Sequence, residues 1–416
     1  MGADGDGIGA LPDGTPLYVP LTLPGELVLA RPVAPRGDGW AAIAGDILEP
    51  SDRRVAPPCP HFGSCGGCSL QHWRGDAYLA WKTGLLRDAL RRAGFDGFDV
   101  ADIVPTPPRV RRRLDLAARR VAAGVVLGLH RPRSKDVVDL TDCHVLDPAL
   151  TALIAPVRAV LARLQGLRRE ASVVANLLDN GPDLLLRTDA ELTLADRTAL
   201  TALAREHMLT RVAWALNDDT PEPVCVLRPP TVTSSSVTIS PPPGAFLQAS
   251  RAGEAAIATA VLAALPAKLP SRAWIAELYA GCGAFSFALA GRARVAAWEG
   301  DAAAVKALRI AANQAGLSGR LSATQRDLAR QPLAAPELAG CTVVVLDPPF
   351  AGAPAQMASI ATARPAVVVY VSCNPAALAR DGRALREAGY HVASATPIDQ
   401  FLWSARLESV VAFARA

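Results

Sequence analysis

Two short β-branched runs end in residues able to do chemistry: Cys341 to Leu346 leads into Asp347-Pro348-Pro349-Phe350, and Ala366 to Val371 leads into Ser372-Cys373-Asn374-Pro375. A thiolate is a strong nucleophile toward electron-poor carbon. Most cysteines at the end of a buried strand are inert packing residues. Two prolines directly after a strand, however, fix a rigid, extended turn at a sheet mouth, which suits a site that must hold something. That neighbour shifts the reading of Cys373 from packing residue to candidate nucleophile.

A third run, Trp274 to Tyr279, opens into Ala280-Gly281-Cys282-Gly283-Ala284-Phe285. Gly281 and Gly283 at such a strand-to-helix turn let the backbone approach a ligand closely. The dinucleotide fingerprint needs a further glycine where this chain has Ser286, so a pyrophosphate loop is disfavoured. Glu299 closes the next strand, where a carboxylate can accept both hydroxyls of a ribose. Together these suit an adenosyl ligand without phosphates; a tight turn and a surface carboxylate are the bland alternative. Asp327, after the third strand, can receive an adenine amino group or start a helix ahead of Leu328.

A thiol beside an adenosyl sulfonium would suit methyl transfer to a pyrimidine carbon. The C5 carbon of uracil is too poor a nucleophile to take a methyl group unaided, but addition of a thiolate to C6 gives C5 enolate character. After transfer, C5 holds both a hydrogen and the new methyl, so a base must remove the proton before the thiolate leaves.

These residues need elements to position them. Strands at Trp274 to Tyr279, Arg294 to Glu299, Cys341 to Leu346 and Ala366 to Val371 alternate with helices starting at Phe285 and spanning Asp301 to Ala315, closed by Gly316. This rhythm predicts a doubly wound α/β domain whose ligands sit beyond the carboxyl ends of its strands. A Ser/Pro-rich stretch, Ser234 to Gly244, separates it from a middle region with strands at Ser172 to Leu178 and Asp183 to Thr188. A helix over Asp76 to Ala93 ends at Gly94. From residue 15 to 55, short apolar runs broken by Pro24-Gly25 and Arg36-Gly37-Asp38-Gly39 read as a small β-barrel.

The 416 residues, 50% hydrophobic and 20% charged, can bury more than one core, and two or three domains are expected. A net charge of +4 supports no whole-molecule attraction to polyanions. A local patch is available in Arg109, Arg111, Arg112, Arg113, Arg119 and Arg120, for which a solvated strand surface is the plain alternative. The first ten residues are rich in Gly and Asp, unlike a signal peptide, and no long apolar run suggests a membrane span, so a cytoplasmic protein is expected. Of eight cysteines, Cys59, Cys65 and Cys68 cluster and Cys143 follows downstream, which fits metal binding in a reducing compartment better than a disulfide framework.

With Cys59-x5-Cys65-Gly66-Gly67-Cys68, Phe246-x-Gln248, Asp347-Pro348-Pro349 and Ser372-Cys373-Asn374-Pro375 in this order, nearly the whole chain resembles the bacterial RNA uridine-5-methyltransferase family. It looks most like the iron–sulfur branch that modifies 23S ribosomal RNA, because the transfer-RNA enzyme of the family lacks the cysteine cluster. The resemblance implies a TRAM-like, OB-like RNA-binding barrel over residues 1–55, a central iron–sulfur and RNA-binding domain over 56–240, and a Rossmann-like class I methyltransferase domain over 241–416. It implies a 4Fe–4S cluster on Cys59, Cys65, Cys68 and Cys143, for which zinc satisfies the same ligands. It also implies S-adenosylmethionine contacts at Gln248, Tyr279, Glu299 and Asp347, with Asp327 at a further adenosine-contacting position. Cys373 matches the nucleophile and Glu408 the general base. The expected partner is 23S rRNA, with tRNA as the alternative, for a monomer acting off the membrane.

The chain departs from the family pattern before the base. Relatives usually show a Phe-Pro-His-Thr-x-His-type segment, whereas Phe401-Leu402-Trp403-Ser404-Ala405-Arg406 places an Arg where a His is common. Asp347-Pro348-Pro349 is followed by Phe350, where relatives mostly carry Arg. The barrel grammar also begins late, without a readable first strand. Two other functions compete: exocyclic amino-group methylation, which also uses an acidic residue before Pro-Pro-aromatic but no cysteine, and a non-catalytic RNA-binding protein.

Overall fold

The computed structural model describes residues 1–415, which form three main sheets. In the first, strands Gly7–Ala10, Pro16–Val19, Leu27–Arg36 and Gly39–Glu49 make an open four-stranded sheet with a small interior of Leu17, Val19 and Ala42. Its first strand lies ahead of the expected start at residue 15, and an edge of Gly7-Ile8-Gly9-Ala10 carries too little hydrophobic signal to be read from the chain.

The central sheet has seven strands, from Glu222–Val226 at one edge to Val137–Asp139 at the other. The expected strands appear as Glu170–Leu178 and Gly181–Thr188, paired antiparallel. Helix α1, Gly75–Arg92, lies elsewhere. Phe95 N–H donates to the Leu90 carbonyl and Gly94 N–H to that of Arg91, the Schellman pattern, with Gly94 at φ +91°. Leu86, Leu90 and Phe95 are buried with Leu378, Leu385 and Phe413 of the C-terminal region, so α1 docks on the third sheet.

That sheet also has seven strands: β1 Trp274–Leu278, β2 Arg294–Glu299, β3 Leu321–Gln325, β4 Val343–Leu346, β5 Val367–Ser372, β6 Tyr390–Ile398 and β7 Glu408–Arg415. Their order is β3-β2-β1-β4-β5-β7-β6, parallel except for β7, which runs against both neighbours. Val343 to Leu346 and Val368 to Val371 are fully buried, as strands covered on both faces must be. Between β1 and β4 the strand order reverses, and the crevice beyond their carboxyl ends is the expected ligand position. Helices α2 Arg251–Ala263, α3 Ser286–Ala290, α4 Ala302–Gln314, α5 Pro354–Ala363 and α6 Pro375–Glu387 lie between or beside these strands.

The Ser/Pro-rich stretch is not a free linker throughout. Val232–Ser234 and Val237–Ile239 pair as a hairpin, and Ile239 joins the same core as Ile275 and Val343. Ser234 Oγ donates to the Ala284 carbonyl in the glycine loop. No helix among the described residues is long and apolar enough to cross a membrane.

Candidate active site

Chain reversal at the carboxyl end of β1 places Tyr279 at φ +64°, Gly281 at +56° and Gly283 at +101°. A tyrosine in the left-handed region is strained, and such strain persists where the surroundings over-determine it. The two glycines serve different ends. A Cβ on Gly283 would meet Leu308 at 2.6 Å and Phe287 at 2.8 Å, so this glycine lets α4 and α3 close on the loop. A Cβ on Gly281 would meet nothing within 4 Å, so here the backbone faces open space. Glu299 Oε2 accepts from the Gly281 N–H at 2.9 Å, tying the end of β2 to the loop.

Gln248, Tyr279, Gly281 and Asp347 line one small cavity together with Phe246. Phe246 is 65% exposed, which excludes a core role for its ring, and the Arg113 guanidinium lies 5.2 Å from the ring centroid. Asp327 stands outside that cavity. Its Oδ1 accepts from Ala329 and Arg330 N–H groups and its Oδ2 lies 3.5 Å from Arg330, so it caps the following turn. Its charge still reaches Tyr279.

At the other side of the cavity a chain of side chains crosses the sheet. Gln248 Nε2 donates to Asp347 Oδ2 at 3.0 Å, Gln400 Nε2 donates to Gln248 Oε1 at 2.8 Å, and the same nitrogen donates to Glu408 Oε2 at 2.6 Å. Gln400 Oε1 accepts from the Ala249 N–H, and the Gln248 carbonyl accepts from Arg112 Nε. Glu408 Oε1 is buried without a partner. Gln400 carries no signal in the sequence beyond its position between β6 and the segment Phe401 to Arg406.

Cys373, half-buried after β5, shares this electrostatic environment. Burial, then the Glu408 and Asp347 charges, push its thiol up to about 12, while Arg406 acts in the opposite direction. Burial holds Asp347 up at about 7 against the Gln248 hydrogen bond. Glu408 is driven well above the ordinary carboxylate range by burial and then by Asp347. Three acidic groups that resist ionising together need positive charge brought to them, which a cationic ligand would supply.

The cysteines Cys59, Cys65, Cys68 and Cys143 all line a second cavity, of about 420 Å³, with Arg111, Arg113 and the segment Phe401, Leu402, Ser404 and Arg406. Burial raises the thiols of Cys65, Cys68 and Cys143, and each is raised further by neighbouring cysteines. Among the described residues no three His, Cys, Asp or Glu side chains converge as ligands of one ion, and all eight cysteines are free. The arginine run is mostly engaged with partners in the chain itself, Arg119 at the surface. Arg112 pairs with Glu254, Arg120 donates to the carbonyls of Leu161, Ala162, Leu164 and Leu167, and Arg119 pairs with Glu170.

The family model described as tRNA (Uracil-5-)-methyltransferase matches residues 254–416. An uncharacterised RNA methyltransferase of Brucella suis biovar 1 is 39% identical, over 99% of this chain and 95% of its own length. The 23S rRNA (uracil(1939)-C(5))-methyltransferase RlmD of Chromohalobacter salexigens is 32% identical, over 99% of this chain and 87% of its own. In fold, the chain is similar to Pyrococcus abyssi tRNA (uracil-54, C5)-methyltransferase in complex with S-adenosyl-L-homocysteine, with a TM-score of 0.73, 20% identity and coverage of 99% and 98% of the two chains. The chain thus belongs to the RNA (uracil-5-)-methyltransferase family, whose members are S-adenosylmethionine-dependent enzymes.

Proposed function

We propose that the chain transfers a methyl group from S-adenosylmethionine to C5 of a uridine in 23S rRNA, through a covalent bond between Cys373 and C6 of the base. The observation that carries this reading is one buried site uniting a half-accessible thiol, Cys373, with Glu408, whose unpaired oxygen can take a proton. Full-length likeness to the Chromohalobacter 23S rRNA enzyme supports the ribosomal substrate over tRNA.

When bound, the donor supplies a methyl cation equivalent on a sulfonium, whose positive charge favours ionisation of nearby Cys373, Asp347 and Glu408. The open face at Gly281, the Glu299 carboxylate and the Tyr279 ring fit an adenosyl ligand, and Gln248 with Asp347 borders the same cavity. Once its S–H proton has passed to solvent, the Cys373 thiolate forms a bond to C6, and the C5–C6 π pair becomes available at C5. Once C5 has taken the methyl, Glu408 removes the C5 proton, the double bond reforms and the sulfur–carbon bond breaks. A carboxylate raised by burial is a better match to that proton than an ordinary glutamate. Gln400, donating to both Gln248 and Glu408, fixes the base relative to the cavity. Reaching C5 requires the base to leave its stack, and the exposed Phe246 ring with Arg113 offers a stacking surface.

The cysteine cavity fits a 4Fe–4S cluster held by Cys59, Cys65, Cys68 and Cys143. Thiols spread over the walls of a cavity this size suit a polynuclear group better than one zinc ion, whose ligands lie only about 2.3 Å from the metal. Its role is structural, because methyl transfer moves no electrons. The reading extends to a monomer acting in the cytoplasm, with residues 1–55 and 56–240 serving RNA binding and cluster ligation.

Incubation with unmodified 23S rRNA and the methyl donor, followed by nucleoside analysis, should yield 5-methyluridine. A methylated exocyclic amine instead would replace this reading with amino-group methylation.

A further inference from the structure

Two residues on facing segments beside the site, Phe350 and Arg406, touch each other. Arg406 Cζ lies 4.3 Å from the centroid of the Phe350 ring, the geometry of a cation–π pair. The Phe350 carbonyl accepts from Asn374 Nδ2 at 2.9 Å, and Asn374 directly follows Cys373. Arg406 sits two residues ahead of Glu408. The contact therefore links the turn that carries the candidate nucleophile to the strand that carries the candidate base. Phe350 is 50% exposed and Arg406 is exposed, so both stand at the mouth of the site. Among the described residues no carboxylate pairs with the Arg406 guanidinium, which leaves its donors free for a ligand.

We propose, building on the nucleophile reading above, that Phe350 and Arg406 act as one unit in which the ring holds the guanidinium where it stabilises the anion of sulfur addition. The sulfur lone pair forms the bond to C6, the π pair moves to C5 and toward O4 of the uracil, and the negative charge is lost when C5 takes the methyl. Arg406 gives up no proton in these steps. The charged groups that reach Cys373 are Glu408 from the start of β7, Asp347 from the end of β4, and Arg406. Arg406 is the cation of that set, and it counters the two carboxylates. The charge comes from the segment that faces the double-proline turn, and the ring on that turn orients it. Phe350 acts through Arg406 and is a positioning residue.

The test reads Cys373 directly. The rate of iodoacetamide alkylation at the Cys373 peptide is followed by mass spectrometry across pH in the full-length protein. Arg406→Met should slow alkylation about tenfold at mildly alkaline pH, as its midpoint moves up by about one unit. Phe350→Leu should fall between parent and Arg406→Met, and Arg406→Lys should recover only part, since an ammonium stacks poorly on a ring. An unchanged alkylation rate in Arg406→Met at mildly alkaline pH, or a Phe350→Leu rate equal to the parent's, would overturn the inference. Failure of the nucleophile reading shows separately, as methyl transfer that survives Cys373→Ala.

Discussion

Gln248 and Gln400, 152 residues apart in the chain, meet side chain to side chain, with Gln400 Nε2 2.8 Å from Gln248 Oε1. Through this contact the cavity that holds Asp347 is joined to Glu408, and neither carboxylate can move without disturbing the other.

Gln400→Leu removes the donor to Glu408 and leaves that buried carboxylate with no side-chain partner. Hydrogen bonds to charged groups are worth about 1.5–3 kcal/mol, so the turnover rate should fall on the order of 10- to 100-fold. The affinity for the methyl donor should fall as well, because Gln248 loses the same donor. Steady-state kinetics with a parallel thermal melt separates this from unfolding; a variant with parental turnover would contradict the assigned bridge.

Much of the site was readable because strand ends advertise themselves. Val343 to Leu346 and Val367 to Val371 are β-branched runs of the fully buried kind, and Asp347 and Cys373 follow them directly. The glycine loop was equally visible. Gln400 was not, because a polar contact between remote segments has no period and no composition. The hairpin at Val232–Ile239 resembled a linker because its strands are three residues each and flanked by Ser and Pro. The arginine run was ambiguous from the chain alone, because whether Arg112 and Arg120 face solvent or backbone carbonyls depends on where distant segments fall.

Glu277, fully buried in β1, is pushed up to about 8 from 4.5, chiefly by burial, although Ser286 Oγ donates to it. Its folded value is raised, so its contribution to stability is complete below about pH 4.5 and is lost as pH rises through about 8. Glu277→Gln keeps the shape without the charge. It should melt within a degree or so of the parent near pH 5 and roughly 3 °C higher near pH 9. Parallel melting curves across that range would show that Glu277 does not titrate as described.

Lys82 of α1 forms a buried ion pair with Asp399, and its ammonium also donates to the Phe401 carbonyl at 3.0 Å. Tyr78 donates to the same carboxylate at 2.9 Å and accepts from the Trp403 N–H. Lys82→Met leaves a buried carboxylate unpaired and should cost about 3–5 kcal/mol. Adding Asp399→Leu should recover most of that loss. Denaturation of both variants checks this, and a single variant as stable as the parent would contradict it.

Protein purified without oxygen should carry iron and acid-labile sulfide in near-equal amounts, at about four each per chain. Cys65→Ala should lose both and melt at a lower temperature than the parent, because cluster ligation is then part of folding. One zinc per chain and no sulfide would replace the cluster with a single ion.

The central claim is the Cys373–C6 bond, and 5-fluorouridine-substituted 23S rRNA tests it most directly. Fluorine at C5 cannot leave as a proton does, so after methyl transfer the adduct has no route to release. With S-adenosylmethionine present, the parent protein should form a stable RNA–protein adduct that resists denaturation, with the RNA attached at the Cys373 peptide, and Cys373→Ala should form none. An adduct of equal yield in Cys373→Ala, or methyl transfer by that variant at the parental rate, would contradict the account.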